Sequence, residues 1–172
     1  VQSWRNANPH IVNFWYEIDA AAKAAVKERR STTVGKVTIY YKSGMMMIKL
    51  PSGRELAYVR PRMTMNRFGS ESICYEGIGL SKKWCRIESY GAKLCENIVQ
   101  AMARDILAEA MLRLEKEGFD IVCHVHDEVV LEVPDGVSSV EEVNAIMAVC
   151  PAWAEGLPLS AAGFESRFYK KD

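Results

Sequence analysis

Between Phe119 and Pro134 two β-forming stretches meet at three consecutive polar residues, His126, Asp127 and Glu128. Ile121, Val122 and Val125 precede them and Val129, Val130 and Val133 follow, side chains that suit a pleated surface. Pro134 and Gly136 close the second stretch. The segment predicts a hairpin that presents carboxylates at its tip. Charged groups flanked by apolar strands are costly unless they are solvated, paired or bound to a cation, and a divalent metal is the sharpest of these reasons. Taken alone, a His-Asp pair is more often a turn with a hydrogen-bonded carboxylate than a metal site.

Upstream, Gly91 to Glu117 predicts a long helix. At ~100° per residue, Lys93, Asn97, Gln100 and Arg104 fall within an arc of about 60°, a polar stripe on one face of its first half. Leu94, Ile98, Met102, Ile106, Leu112 and Leu114 make the remaining faces largely apolar. A helix apolar nearly all round is usually buried, and a short polar stripe on it lines a site or bridges neighbouring loops.

The chain begins without Met and enters a helix at once, with Asn8 as N-cap and Pro9 at its first position. Ile11, Trp15, Ile18, Ala22 and Ala25 recur at helical spacing and predict one buried stripe. Val37 to Tyr41, Met45 to Leu50 and Glu55 to Val59, separated by Lys42-Ser43-Gly44 and Pro51-Ser52-Gly53, predict a small antiparallel meander. Met45, Met46 and Met47 fit adaptable packing. Residues 61–90 show no period and are expected to form a long connection. Two segments result: 1–90, a basic helix and meander with that connection, and 91–172, the polar-stripe helix, the hairpin, a further helix and a terminal strand.

With 172 residues, 49% of them hydrophobic, one medium core or two small ones can form. Basic and acidic residues balance at 22 each, yet they are segregated. Residues 23–67 carry 11 Lys and Arg against Glu28 and Glu55, a net +9, whereas residues 94–172 carry six against 15, a net −9. The first region suits phosphates or is a solvated basic face; the second suits metal or solvent. Five cysteines without a C-x-x-C pair point to reduced thiols, neither a disulfide framework nor a zinc knuckle. No apolar run reaches the ~18 residues of a membrane span, and no secretory leader is recognisable, so no membrane partner and a cytoplasmic location are expected.

Val125-His126-Asp127-Glu128-Val129-Val130-Leu131-Glu132 resembles motif C of the family A DNA polymerases, the bacterial polymerase I and phage type. Glu96-Asn97-Ile98-Val99-Gln100-Ala101-Met102-Ala103-Arg104-Asp105 is similar to the family's helix in which an Asp follows a Gln by five residues. The likeness extends over the chain and is strongest to phage enzymes. It implies an α+β fold, a long buried helix packed on an antiparallel sheet with the motif C hairpin, part of a polymerase palm, preceded by a helix and a small β-meander. It implies templated DNA synthesis through two Mg²⁺ ions held by carboxylates, with primer-template DNA and dNTP as partners.

On the same resemblance Asp127 is the metal ligand, Glu128 its adjacent acid and His126 the primer-side neighbour. Gln100 and Asn97 would face the DNA minor groove, where a Gln amide can donate to purine N3 or pyrimidine O2 of any pair. The family's Asn stands four residues before the Gln, where this chain has Glu96, with Asn97 one later. From the stripe, Lys93 and Arg104 suit phosphates. Arg54 in Pro51-Ser52-Gly53-Arg54-Glu55-Leu56 resembles a turn near the DNA backbone, and is equally an exposed turn arginine. Residues 157–172 resemble the terminal strand and tail of phage enzymes.

Motif A, D-Y-S-x-x-E, and the triphosphate-gripping R-x3-K-x7-Y-G are absent. Lys82 with Tyr90-Gly91 fits only the end of the second, with Ile78 in place of its Arg. The expectation is a C-terminal part of a polymerase, dependent on a missing N-terminal part and inactive alone. Two alternatives stay open: a metal-dependent hydrolase using His124, His126 and Asp127, and a non-catalytic DNA-binding remnant.

Overall fold

The structure is a computed structural model that describes residues 1–170; Lys171 and Asp172, expected in the C-terminal tail, lie outside the described residues. It is α+β, and it divides into two compact units, Val1–Gln100 and Ala101–Asp172.

In the first unit, α1 (Gln2–Ala7) leads into α2 (Pro9–Glu28). Asn8 is the N-cap residue of α2 and Pro9 opens it, but the Asn8 amide donates to the Trp4 carbonyl, 2.8 Å away, and not to the helix end it precedes. The predicted stripe is buried from Ile18 onward, through Ala22 and Ala25. Ile11 is exposed, and Trp15 stacks on Trp4 of α1 with ring centres 5.7 Å apart. The small Ala residues let α2 lie close on the sheet.

That sheet has six antiparallel strands in sequential order: β1 (Thr32–Val34), β2 (Val37–Lys42), β3 (Met45–Lys49), β4 (Glu55–Met65), β5 (Glu71–Ile78) and β6 (Trp84–Ser89). The expected meander is present in β2 to β4, and its core is Val37, Ile39, Met46, Ile48, Leu50 and Tyr58. The expectation of a long connection over residues 61–90 is wrong: this stretch completes β4 and adds β5 and β6. Pro61 did not end β4 because it falls in a register shift between Val59 and Arg62, where Arg60 takes a left-handed φ of 46°. Bulges admit a proline that a regular ladder rejects. β5 hid its period because it lies between two strands and buries Ser72, Ile73 and Cys74 in succession. A strand covered on both faces loses its alternation.

The long helix α3 (Gly91–Lys116) starts in the first unit and ends in the second. Its first residue has to be glycine. A Cβ there would lie 2.1 Å from the Trp15 carbonyl oxygen and 2.7 Å from Asp19 Cβ. The Gly91 N–H donates to Asp19 Oδ1 at 2.9 Å, which places a carboxylate at the positive end of the helix. α3 buries Leu94, Ile98, Ala101, Leu107, Ala110 and Leu114, whereas Val99 and Leu112 are exposed.

In the second unit α3 is followed by β7 (Asp120–Val125), β8 (Glu128–Glu132) and α4 (Val140–Met147). Ser139 caps α4, its Oγ accepting from the Glu142 N–H at 3.2 Å. Arg113 of α3 donates to the Ile146 and Val149 carbonyls at 3.2 and 2.9 Å, one an acceptor left open in the last turn of α4 and the other just beyond it. The expected terminal strand is not formed; among the described residues no strand follows β8. Pro158 leaves that segment without a full set of ladder donors, and residues 162–170 are exposed. No helix among the described residues is long and apolar enough to cross a membrane.

Candidate functional site

β7 and β8 form the predicted hairpin, with Val125 opposite Glu128, so only His126 and Asp127 make the turn. Two-residue hairpin turns need a left-handed φ at one or both loop positions and usually place Gly, Asn or Asp there. Here His126 takes that conformation at φ 53°. A histidine held in this region is locally strained, a feature that clusters at functional sites. The consequence is geometric: His126, Asp127 and Glu128 all stand exposed at the tip. The Asp127 and Glu128 side chains make no hydrogen bond or ion pair among the described residues.

His124, two residues before the turn, is engaged elsewhere. Arg104 Nη2 on α3 lies 3.1 Å from His124 Nε2. A guanidinium can only donate, so Nε2 is the acceptor in this contact. Arg104, expected to face phosphates, thus links α3 to β7 while staying exposed. Among the described residues no three His, Cys, Asp or Glu side chains gather where they could hold a metal ion. The set His124, His126 and Asp127 does not converge, and with His124 Nε2 already taken the hydrolase alternative lacks its geometry.

The remaining candidates lie in the first unit. Gln100 is exposed on α3. Asn97 is half-buried and its Nδ2 donates to the Tyr58 hydroxyl on β4 at 3.0 Å. Tyr58 packs edge-on against Tyr75 of β5, ring centres 4.9 Å apart. Burial pushes the Tyr58 hydroxyl pKa up, and the Asn97 hydrogen bond works against that rise. Lys93 is paired with Glu96 at 2.9 Å, one turn away on the same helix, and this pairing raises its pKa. Arg54 is exposed in the β3–β4 turn, where its carbonyl accepts from the Leu50 N–H at 2.8 Å and Gly53 takes φ 91°. The polar stripe is therefore real along α3, yet Asn97 and Lys93 are already partnered.

Sequence reasoning missed Tyr58, which fixes the Asn97 amide, and the group Arg60, Glu76, Trp84 and Arg86, which the sheet assembles across β4, β5 and β6. Only recognition of β5 and β6 as paired strands would have found that group.

The chain is 51% identical over 174 residues to a protein of Bacillus phage SP02 named DNA polymerase. That match takes in all of this chain and 27% of the phage protein. This chain is similar from end to end to one part of a phage DNA polymerase. It spans about a quarter of the length of that relative. No protein-family model matches the chain, and no solved structure matches it.

Proposed function

We propose that the chain is the C-terminal part of a family A DNA polymerase and supplies a portion of a site that adds dNMPs to a primer 3′ end. The observation that carries this reading is the end-to-end identity with part of a phage DNA polymerase, in which the His126-Asp127-Glu128 tip is included. The exposed, unpartnered carboxylates at that tip are its physical support.

Hard oxygen donors suit Mg²⁺, and Asp127 offers one with Glu128 beside it. Among the described residues no three acidic, imidazole or thiol side chains converge on one point, so the donor set fits part of a two-ion site whose remaining ligands come from the rest of the polymerase. When bound there, the ions supply neutralisation of the transferring phosphoryl group and a more acidic primer hydroxyl. The chain's own residues position: the strained His126 turn aims Asp127 outward, and Gln100 donates into the minor groove at the primer end without selecting a base. Asn97, on the same helical face, is held by Tyr58. Primer-template DNA and dNTP are the partners, and the basic first unit faces phosphate.

In the complete polymerase, Asp127→Ala should lower Mg²⁺-dependent primer extension on the order of a thousandfold, the rate equivalent of several kcal/mol of lost charge stabilisation. The 172-residue chain alone should extend no primer. Sustained Mg²⁺-dependent extension by that chain, abolished in Asp127→Ala, would refute its dependence on a further part.

A further inference from the structure

On the open sheet around β5, one carboxylate organises three large side chains. Glu76 Oε2 accepts from Arg60 Nη1 at 3.1 Å and from the Trp84 indole N–H at 3.3 Å, and its Oε1 lies 3.7 Å from Arg86 Nη2. The register explains the gathering: Glu76 stands opposite Arg86 and opposite Val59, and Ile78 opposite Trp84, so Glu76, Ile78, Trp84 and Arg86 share one face. The Arg60 bulge brings the second guanidinium to the same carboxylate.

The exposures are unequal. The Glu76 side chain is 17% exposed, Arg60 70% and Arg86 50%, and Trp84 is 60% exposed. The acid is the anchor and the cations and the indole are presented. The adjoining β5–β6 turn adds Lys82 and Lys83, which have no ion-pair partner among the described residues, and Leu80, fully exposed. From Gly77 to Ile87 there is no acidic residue.

Cross-strand ion pairs as exposed as these contribute little stability, so sheet stabilisation does not account for two arginines and a tryptophan on one carboxylate. Their joint chemistry does match a ligand. An indole fixed at its N–H and largely exposed suits stacking on a planar ring, and flanking guanidiniums take phosphates. Polyanion charge complements the net positive cluster. Only unpaired bases can offer a free face to Trp84; in a duplex those faces are stacked away.

We propose that Trp84, Arg60 and Arg86, gathered on Glu76, form a contact for single-stranded nucleic acid, with an unpaired base on the indole and adjacent phosphates on the guanidiniums. This goes beyond the polymerase reading and does not depend on Asp127.

The test is fluorescence anisotropy of a labelled oligothymidylate titrated with the full chain. Stacking on one aromatic is worth roughly 1–3 kcal/mol per base, so Trp84→Ala should weaken binding by about tenfold or more, and Trp84→Phe should recover most of it. Arg60→Gln with Arg86→Gln should flatten the slope of log affinity against log salt by about 1.4, the value for two phosphates of a single strand. The assay reads binding without primer extension, so failure of this contact is distinguishable from failure of the polymerase reading. The proposal is overturned by a folded Trp84→Ala chain, checked by circular dichroism, that binds the oligomer as well as the parent. Preference for a blunt duplex, or no oligomer binding at all, as expected of a protein-docking surface, overturns it equally.

Discussion

The six-stranded sheet and the β7–β8 hairpin use the same strand-forming residues with opposite results. In the sheet, Val37, Ile39, Met46, Ile48 and Ile73 are buried, because α2 covers one face and each inner strand has neighbours on both sides. In the hairpin, Ile121, Val125, Val129, Val130 and Leu131 are only half-buried, and Val122 is exposed where the register shifts between Ile121 and Cys123. A two-stranded ribbon is marginal on its own and needs further strands or a covering helix. β-branched composition makes a strand; neighbours make a core. The sheet is built to hold shape, and the hairpin to present its tip.

The comparison breaks first at the sheet side. Gly91→Ala forces a Cβ into the Trp15 carbonyl and should destabilise the first unit by more than about 4 kcal/mol, read as loss of cooperative unfolding in urea. If the variant is as stable as the parent, α3 does not start against α2. Next, Ile48→Ala, at a fully buried site, should cost about 3 kcal/mol, whereas Val129→Ala on the hairpin should cost about 1 kcal/mol. Equal costs from the two denaturation midpoints would erase the distinction between core and presented strands.

The smallest effect is acid sensitivity of the sheet. The Lys27 ammonium, hydrogen-bonded at 2.8 Å, holds the Glu71 carboxyl below its ordinary 4.5. The Trp84 indole N–H, followed by the Arg60 and Arg86 charges, holds Glu76 below it as well, against the opposing effect of partial burial. A depressed folded value means that these contacts stabilise above the unfolded pKa of 4.5 and fade as pH falls through the folded one. Thermal midpoints taken from neutral pH down through that range should fall less steeply in Lys27→Gln than in the parent. An identical slope would show that the Lys27–Glu71 pair carries no linkage.

Sequence patterning made α2, β2 to β4, the long α3 and the hairpin legible, since each shows a visible period or a bounded apolar run. It failed at β5, whose Ser72, Ile73 and Cys74 are all covered, and at β4, where Pro61 marks a bulge and not an end. At the site the tip was legible because turn position follows from the flanking strands. The partners of Asn97 and Arg104 were not, since Tyr58 and His124 lie 39 and 20 residues away from them in the chain and only the fold makes them neighbours.

The meeting of Gly91 with α2 has a rotary consequence. A helix is a stiff rod advancing ~100° per residue, so seating its first residue against Trp15 and Asp19 clocks the side chains that follow it in the first unit about the helix axis. Gln100 comes about two and a half turns on, with its bearing already set by a contact at the far end of the rod. A bulkier residue at that seat would turn the whole dial, and the amide would point somewhere else without a single atom of Gln100 having been changed.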